Sequence, residues 1–413
     1  MTNPASTASG GHPDSSQAWL RLCVAVLLST LGGVGMWSYM VALPAIQSDF
    51  GIGRGEASLP FTLAMIGFAC GGVLMGKLAD RFGIAVPLAL GTLLLTAGYL
   101  LVGLSSSVWQ VALAHGLLIG LGCSASFGPL MADTSHWFVR RRGIAVAIAA
   151  SGNYIAGTIW PPIVQHFIAS EGWRATHTAL GIFVCVTMLP LVFFMRKRIA
   201  HQQSDASSAA LAKRQAESPF SPMTLQVLLL IAGVACCVAM SMPQVHIVAY
   251  CGDLGYGVAR GAEMLSVMLG FGIISRVASG FIADRIGGVR TLLLGSVLQG
   301  VALFLYLWFD GLVSLYVISA MFGLFQGGIV PSYAIIVREY FSAREAGTRV
   351  GLCLMATLLG MALGGWMSGV IFDFSGSYRA AFLNGLAWNL LNVCIMAWLL
   401  MRTRAKPALA TAV

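Results

Sequence analysis

The sequence predicts an all-α membrane protein of about twelve transmembrane helices, arranged as two pseudo-symmetric six-helix bundles. Three observations predict it. The 413 residues are 58% hydrophobic and only 9% charged, where a soluble chain carries roughly 25% charged residues. The apolar residues fall in blocks of about 20, the length that crosses about 30 Å of hydrocarbon as a helix, and they lack the polar faces of an amphipathic soluble helix. Finally, one octapeptide frame occurs twice: GKLADRFG at 76–83 and GFIADRIG at 280–287, an offset of 204 in a chain of 413. A charged turn duplicated between apolar runs implies two related bundles in one polypeptide, a layout of carriers more than of enzymes or receptors.

The elements follow in order. Residues 1–18 are rich in Ser, Gly, Pro and Ala. They lack the basic start and cleavage site of a signal peptide and read as a disordered tail. Spans are expected near 20–43, 57–76, 86–104, 108–132, 144–168 and 176–195, which make an N-terminal bundle over 19–195. The polar, basic stretch 196–222 reads as a linker that lets two bundles move relative to each other. Six further spans, near 224–250, 263–283, 289–309, 312–337, 350–372 and 380–401, make a C-terminal bundle over 223–401, with a tail at 402–413.

An even number of spans puts both termini on one side. Loops on that side hold Lys77, Arg81, Arg140, Arg141, Arg142, Arg196, Lys197, Arg198, Arg285, Arg290 and Arg338, whereas the opposite loops hold only Arg54, Arg174, Arg260 and Arg379. Positive charge collects on the cytoplasmic side, so the termini are expected in the cytoplasm. Short loops and the absence of targeting signals suggest the inner membrane of a bacterium. The net charge of +9 is explained by this topology, and no basic cluster has the aromatic interleaving of a nucleic-acid site. The nine cysteines include no C-x-x-C pair; they read as small apolar packing residues, not as a disulfide framework or metal site. No phosphate loop and no hydrolase constellation is present. Neither enzymatic activity nor a cofactor is expected, and a single chain is expected to suffice.

The repeat extends beyond one turn. WFVRRRG at 137–143 matches YFSAREAG at 340–347, and Trp173-Arg174-Ala175 matches Tyr378-Arg379-Ala380. In the duplicated turns, Gly76 and Gly280 are expected to permit close helix approach. Asp80 with Arg81, and Asp284 with Arg285, are expected to latch adjacent helices at the inner face in one conformation and release in another. The simpler reading is orientation-setting charge alone.

Arg276 is the most informative side chain. It lies eight residues before Asp284, roughly 12 Å inside the span at 1.5 Å per residue. A guanidinium there costs about 3 kcal/mol on insertion scales. All fifteen acidic residues fall in loops, tails or span ends, so the sequence supplies no fixed counter-ion at that depth. An anionic substrate is the preferred partner, held bidentately if it is a carboxylate. The alternative is that Arg276 bonds backbone carbonyls or snorkels to the inner surface.

The other candidates have paired readings too. His115 in span four and His246 in span seven are read as the membrane histidines. Either is a proton-coupling candidate, and His115 also a substrate contact; a packing role is the alternative. Asn153, Tyr154 and Gln326 sit at mid-depth and can bond a carboxylate or hydroxyl, or bond between helices. Trp37, Tyr39 and Tyr333 can wall a cavity or simply pack.

GKLADRFG and GFIADRIG resemble the loop motif of the major facilitator superfamily, found between spans two and three and again between eight and nine. The resemblance runs from Trp19 to Met401. GVGMWSYMVALPAIQSDFGIGRGEASLPF at 33–61, WFVRRRGIAVAIAASG at 137–152, HIVAYCGDLGY at 246–256 and SRVASGFIADRIGG at 275–288 resemble its monocarboxylate porter branch, which includes oxalate/formate antiporters. The resemblance implies the major facilitator fold, and it implies that Arg276, in span eight, binds a substrate carboxylate. The chain also departs from those relatives. Gly272 stands where animal-type porters have a proton-coupling Asp, and neither span one nor span eleven has a Lys. One central cation suits a monoanion better than a dianion.

The expected function is therefore secondary active transport of a small monocarboxylate or organic anion by alternating access, through proton symport or anion exchange. The alternatives are a drug or neutral-solute exporter of the same fold and a non-transporting membrane sensor.

Overall fold

The structure, a computed structural model, describes residues 14–197, 221–341 and 343–404. Most of the expected linker and of both tails lies outside the described residues.

Among the described residues, eleven helices are long and apolar enough to cross a membrane. Ten are single spans. The eleventh, Gly143–Phe194, has 52 residues, roughly 78 Å at 1.5 Å per residue and far longer than one crossing needs. Its backbone breaks at Gly172, where φ is 79° and ψ is 164°. This glycine turns the chain back, so spans five and six are 143–171 and 173–194. Spans one to four are Ser16–Phe50, Arg54–Phe82, Ala85–Gly103 and Val108–Trp137. Spans seven to twelve are Pro222–Asp253, Val258–Ile286, Gly288–Trp308, Leu312–Tyr340, Gly347–Ser375 and Tyr378–Arg402. Twelve passes return the chain to the side on which it began, called here the terminal side.

Local chemistry sets the ends. Ser15 caps span one by accepting from the Ala18 amide at 3.3 Å. Ser221 caps span seven by accepting from Thr224 at 3.1 Å, with Pro222 at the first helical position. The two octapeptides end alike. Gly83 and Gly287 have φ of 81° and 83°, and their amides bond the carbonyls of Ala79 and Ala283 at 2.7 and 2.8 Å. A non-glycine residue is strained there. The positive-φ glycines 51 and 255, and 172 and 376, share the same offset of 204, so the repeat is written into the backbone as well as the sequence.

The repeat also holds where helices cross. A Cβ added at Gly120 would collide with the backbone carbonyl of Ala64, and one at Gly323 with that of Met268. Each crossing joins spans two and four in one half, eight and ten in the other. Spans four and ten are both discontinuous. Span four carries a π-helical turn at His115–Gly120 and a break before Gly128, and span ten breaks between Gln326 and Ile329. Broken helices of this kind surround the binding centre in many carriers. Large apolar side chains such as Phe281 and Phe194 stand exposed on the perimeter, as a surface facing lipid requires.

Candidate functional site

Span eight brings Arg276 to the seam between the bundles. Its side chain is half-buried. Nη1 donates to the carbonyl of Ala150 in span five at 3.1 Å, and the guanidinium lies 4.5 Å over the ring of Tyr154, a cation–π geometry. Nε is buried and has no hydrogen-bond partner among the described residues. No acidic side chain pairs with Arg276 among the described residues. The backbone-carbonyl alternative is thus realised at one nitrogen only, and the edge carrying Nε stays open.

Tyr154 is held by a void on the neighbouring helix. Its ring fills the space above Gly272, where an added Cβ would collide with it. A residue earlier, Asn153 accepts from Trp37 Nε1 through its backbone oxygen at 3.0 Å and its amide oxygen at 3.3 Å. Gly157, one turn on, lets Trp37 and Leu269 meet across the seam. Arg276, Tyr154, Asn153 and Trp37 therefore form one cluster.

Of the other candidates, Tyr39, His115 and Tyr333 lie away from this cluster. Tyr39 is inside the N-terminal bundle, its hydroxyl donating to Ala57 O at 2.5 Å. Its ring meets that of His115 edge-on at 4.8 Å. His115 is fully buried with Nδ1 on Val111 O at 2.9 Å, and its Nε2 has no partner among the described residues. Tyr333 is inside the C-terminal bundle, its hydroxyl 3.4 Å from Cys236 Sγ and from Asn392 Oδ1. Gln326 is fully buried, accepting from Gln244 at 3.1 Å. The reading of only two membrane histidines needs correction. His177 in span six is also fully buried, 6.1 Å from His115 between ring centroids. It lies at the very start of the expected span, beside the Trp-Arg loop motif, and hydropathy gives no sign that its side chain faces the bundle interior.

Sequence reasoning also missed the contacts that close the seam opposite the termini. Arg54, at the start of span two, is buried and makes a bidentate pair with Asp253 of span seven, both bonds 3.2 Å. Its Nη1 also donates to the Tyr378 hydroxyl at 2.6 Å. Asp373 of span eleven accepts from the backbone amides of Arg54 and Gly55, each at 2.7 Å, capping the helix of the opposite bundle. His246 stands behind this network, with Nδ1 3.1 Å from the Tyr378 hydroxyl and Nε2 2.8 Å from Gly365 O. Both of its nitrogens are engaged. One sequence signal was available. Arg174 pairs with Asp49 at 2.7 Å within the N-terminal bundle, and the repeat counterparts are Arg379 and Asp253. Asp253 instead serves Arg54 across the seam.

The duplicated turns behave differently from expectation. A Cβ at Gly76 or Gly280 would meet nothing within 4 Å, so neither glycine is a close-approach point in this conformation. Among the described residues, no hydrogen bond or ion pair engages Asp80 or Asp284. The span eight–nine turn is tied instead by Glu339, which accepts from the Gly288 amide at 2.9 Å. Among the described residues, the hydrogen bonds and ion pairs between bundles run from Arg54, opposite the termini, to Arg276 inside the span, and none of them involves these turns. A separate crevice of about 240 Å³ opens between spans eight, nine and ten, lined by Ser275, Ser279, Thr291, Leu298, Phe325 and Gly328, and does not include Arg276.

Two repeated six-span bundles of the same orientation, bonded together at one end and holding a cation at their seam, define a secondary carrier. The sequence profile of the Major Facilitator Superfamily matches residues 25–315 and 264–412, and the chain belongs to that family of transporters. Monocarboxylate transporter 13 of Bos taurus is 27% identical over 376 residues, covering 84% of this chain and 86% of its own. An uncharacterised transporter of the same superfamily, YcxA of Bacillus subtilis, is 25% identical over 356 residues, covering 83% and 85%. The fold is similar to that of a bacterial homologue of the human lysosomal transporter Spinster, with a TM-score of 0.73 at 14% identity over 95% of this chain and 98% of that one. It is similar also to the nucleoside transporter NupG, with a TM-score of 0.70 at 13% identity over 92% and 99%.

Proposed function

We propose that this transporter moves a small monocarboxylate or related organic anion, which binds at Arg276 and crosses by alternating access. The observation that supports this reading is the guanidinium itself. It lies at the seam, has no acidic partner among the described residues, and keeps a buried N–H donor open. A half-buried cation within a span, without a counter-ion, is costly. A carboxylate on the Nε edge removes that cost with two parallel, charge-assisted hydrogen bonds. The contact to Ala150 O and the face of Tyr154 hold the plane of the fork in place beforehand. The relatives named for monocarboxylate transport support the same direction. A central cation opposes export of cationic drugs.

Asn153, Tyr154 and Trp37 flank the proposed site, and Gln326 approaches it from the other bundle. Of the two proton-coupling candidates, His115 keeps an open nitrogen while His246 is committed to the seal, so proton symport favours His115; anion exchange needs neither. With the seam bonded opposite the termini, the state described here opens towards the terminal side. The basic loops favour the cytoplasm of a bacterial cell for that side. The latch at Gly76, Asp80, Arg81 and at Gly280, Asp284, Arg285 would engage in the opposite state.

Counterflow of labelled lactate, pyruvate, formate and oxalate in proteoliposomes tests the assignment. Monocarboxylates are expected to exchange and oxalate to exchange poorly. Arg276→Lys keeps the charge but loses the fork, and is expected to slow exchange by about tenfold or more. Unchanged exchange by Arg276→Lys and Arg276→Gln would overturn the reading.

A further inference from the structure

Beside the seam, spans seven and ten share a polar contact that the architecture does not require. Gln244 Nε2 donates to Gln326 Oε1 at 3.1 Å, and both side chains are buried, 2% and 0% exposed. That bond engages two of the four polar atoms in the two amides. Gln244 Oε1 and Gln326 Nε2 are both buried without a partner among the described residues. Buried amide groups left unpaired are destabilising and uncommon. Reversing the assignment of both amides changes nothing, because the pair still leaves one acceptor and one donor open.

The repeat shows that the fold manages without this pair. At the offsets of 204 and 203, the N-terminal counterparts of Gln244 and Gln326 are Met40 and Cys123, both buried and apolar. Two glutamines at these places answer a need particular to the C-terminal half.

Their position suggests the need. Gly327, the residue after Gln326, lies so close to span eight that a Cβ there would collide with the Gly272 carbonyl. Gly272 is the residue covered by the Tyr154 ring, and Arg276 follows it by four residues, about 6 Å along the helix axis. The chain next to Gln326 and the helix that carries the guanidinium thus meet at the same turn of span eight.

We infer that Gln244 and Gln326 form a second subsite, which reads a hydroxyl group on a short monocarboxylate held at Arg276. A hydroxyl both donates and accepts through one oxygen, so it satisfies Gln244 Oε1 and Gln326 Nε2 together. An oxo group only accepts and leaves the acceptor bare. An unsubstituted methylene leaves both bare. Sites that hydrogen-bond a substrate hydroxyl reject analogues lacking it, because the buried groups are left unpaired.

The inference rests on the carboxylate reading of Arg276, and the test separates the two. Counterflow of labelled 2-hydroxybutyrate in proteoliposomes is competed with unlabelled 2-hydroxybutyrate, butyrate and 2-oxobutyrate. The hydroxy acid is expected to compete about tenfold or more better than butyrate, with the oxo acid between. The variant Gln244→Met/Gln326→Cys, which copies the N-terminal half, is expected to compress this preference to within about threefold. If no carboxylate competes, the Arg276 reading has failed. If carboxylates compete but the hydroxyl confers no advantage, or the advantage persists in the variant, the glutamine subsite has failed and its open groups hold only water. Should the variant not fold, wild-type protein labelled with ¹⁵N at its glutamine side chains decides. Two amide signals that move with 2-hydroxybutyrate but not with butyrate support the subsite, and none moving overturns it.

Discussion

Gly272 shows how one missing side chain organises the neighbourhood of Arg276. The Tyr154 ring occupies the volume a Cβ would need and presents its face to the guanidinium. Gly272→Ala is therefore expected to cost about 1–3 kcal/mol through overpacking and to move the ring off Arg276. It should lower both the melting temperature and transport. Adding Tyr154→Ala should restore most of the stability without restoring transport, because the cation–π contact is gone; recovery of both would show that the ring only packs. The acidic residue that porter-like relatives carry at this place has no room here. Arg276 was legible from the sequence because depth along a helix follows from counting residues, and its lack of a neighbouring acid from listing fifteen carboxylates. Its contacts with Ala150 and Tyr154 were not, since they depend on how spans five and eight lie side by side. Arg54 was hidden for the same reason: its partners are 199 to 324 residues away along the chain.

At the level of helices, the glycines divide into two sets with different expected behaviour. Gly120 and Gly323 touch the backbone of a crossing helix, and alanine at either should reduce folded yield and lower the melting temperature, by about 1–3 kcal/mol each. Gly76 and Gly280 face open space in this conformation. Alanine there should change stability by less than about 0.5 kcal/mol, yet slow transport if the turns close in the other state. Wild-type transport by Gly76→Ala/Gly280→Ala would remove the latch. Span positions were largely legible, because a block of apolar residues near 20 long has few alternatives to crossing a bilayer. The twelve expected spans match the eleven long helices once the break at Gly172 divides one of them. The interruptions of spans four and ten, including the π-helical turn at His115–Gly120, left no mark on hydropathy, since they change hydrogen bonding and not composition.

For the whole molecule, the decisive feature is that the bundles are bonded together at one end. Arg54, Asp253, Asp373 and Tyr378 join the halves opposite the termini. Hydrogen bonds to charged groups contribute about 1.5–3 kcal/mol each, enough to bias a two-state carrier strongly. Arg54→Gln should shift the population towards the state open on that side, read as longer distances between spin labels on the two bundles there. Unchanged distances would mean that apolar packing alone holds the seal. Rocking of this kind is useful only if something at the seam senses the cargo, the role proposed for Arg276. The most direct measurement is displacement of a labelled monocarboxylate from purified protein by the same acid and by its neutral amide. The acid is expected to displace it and the amide to be weaker by about 10- to 100-fold, the equivalent of about 1.5–3 kcal/mol for a hydrogen bond to a charged group, while folded Arg276→Gln binds neither. Equal displacement by acid and amide, or undiminished binding to that variant, would contradict that role.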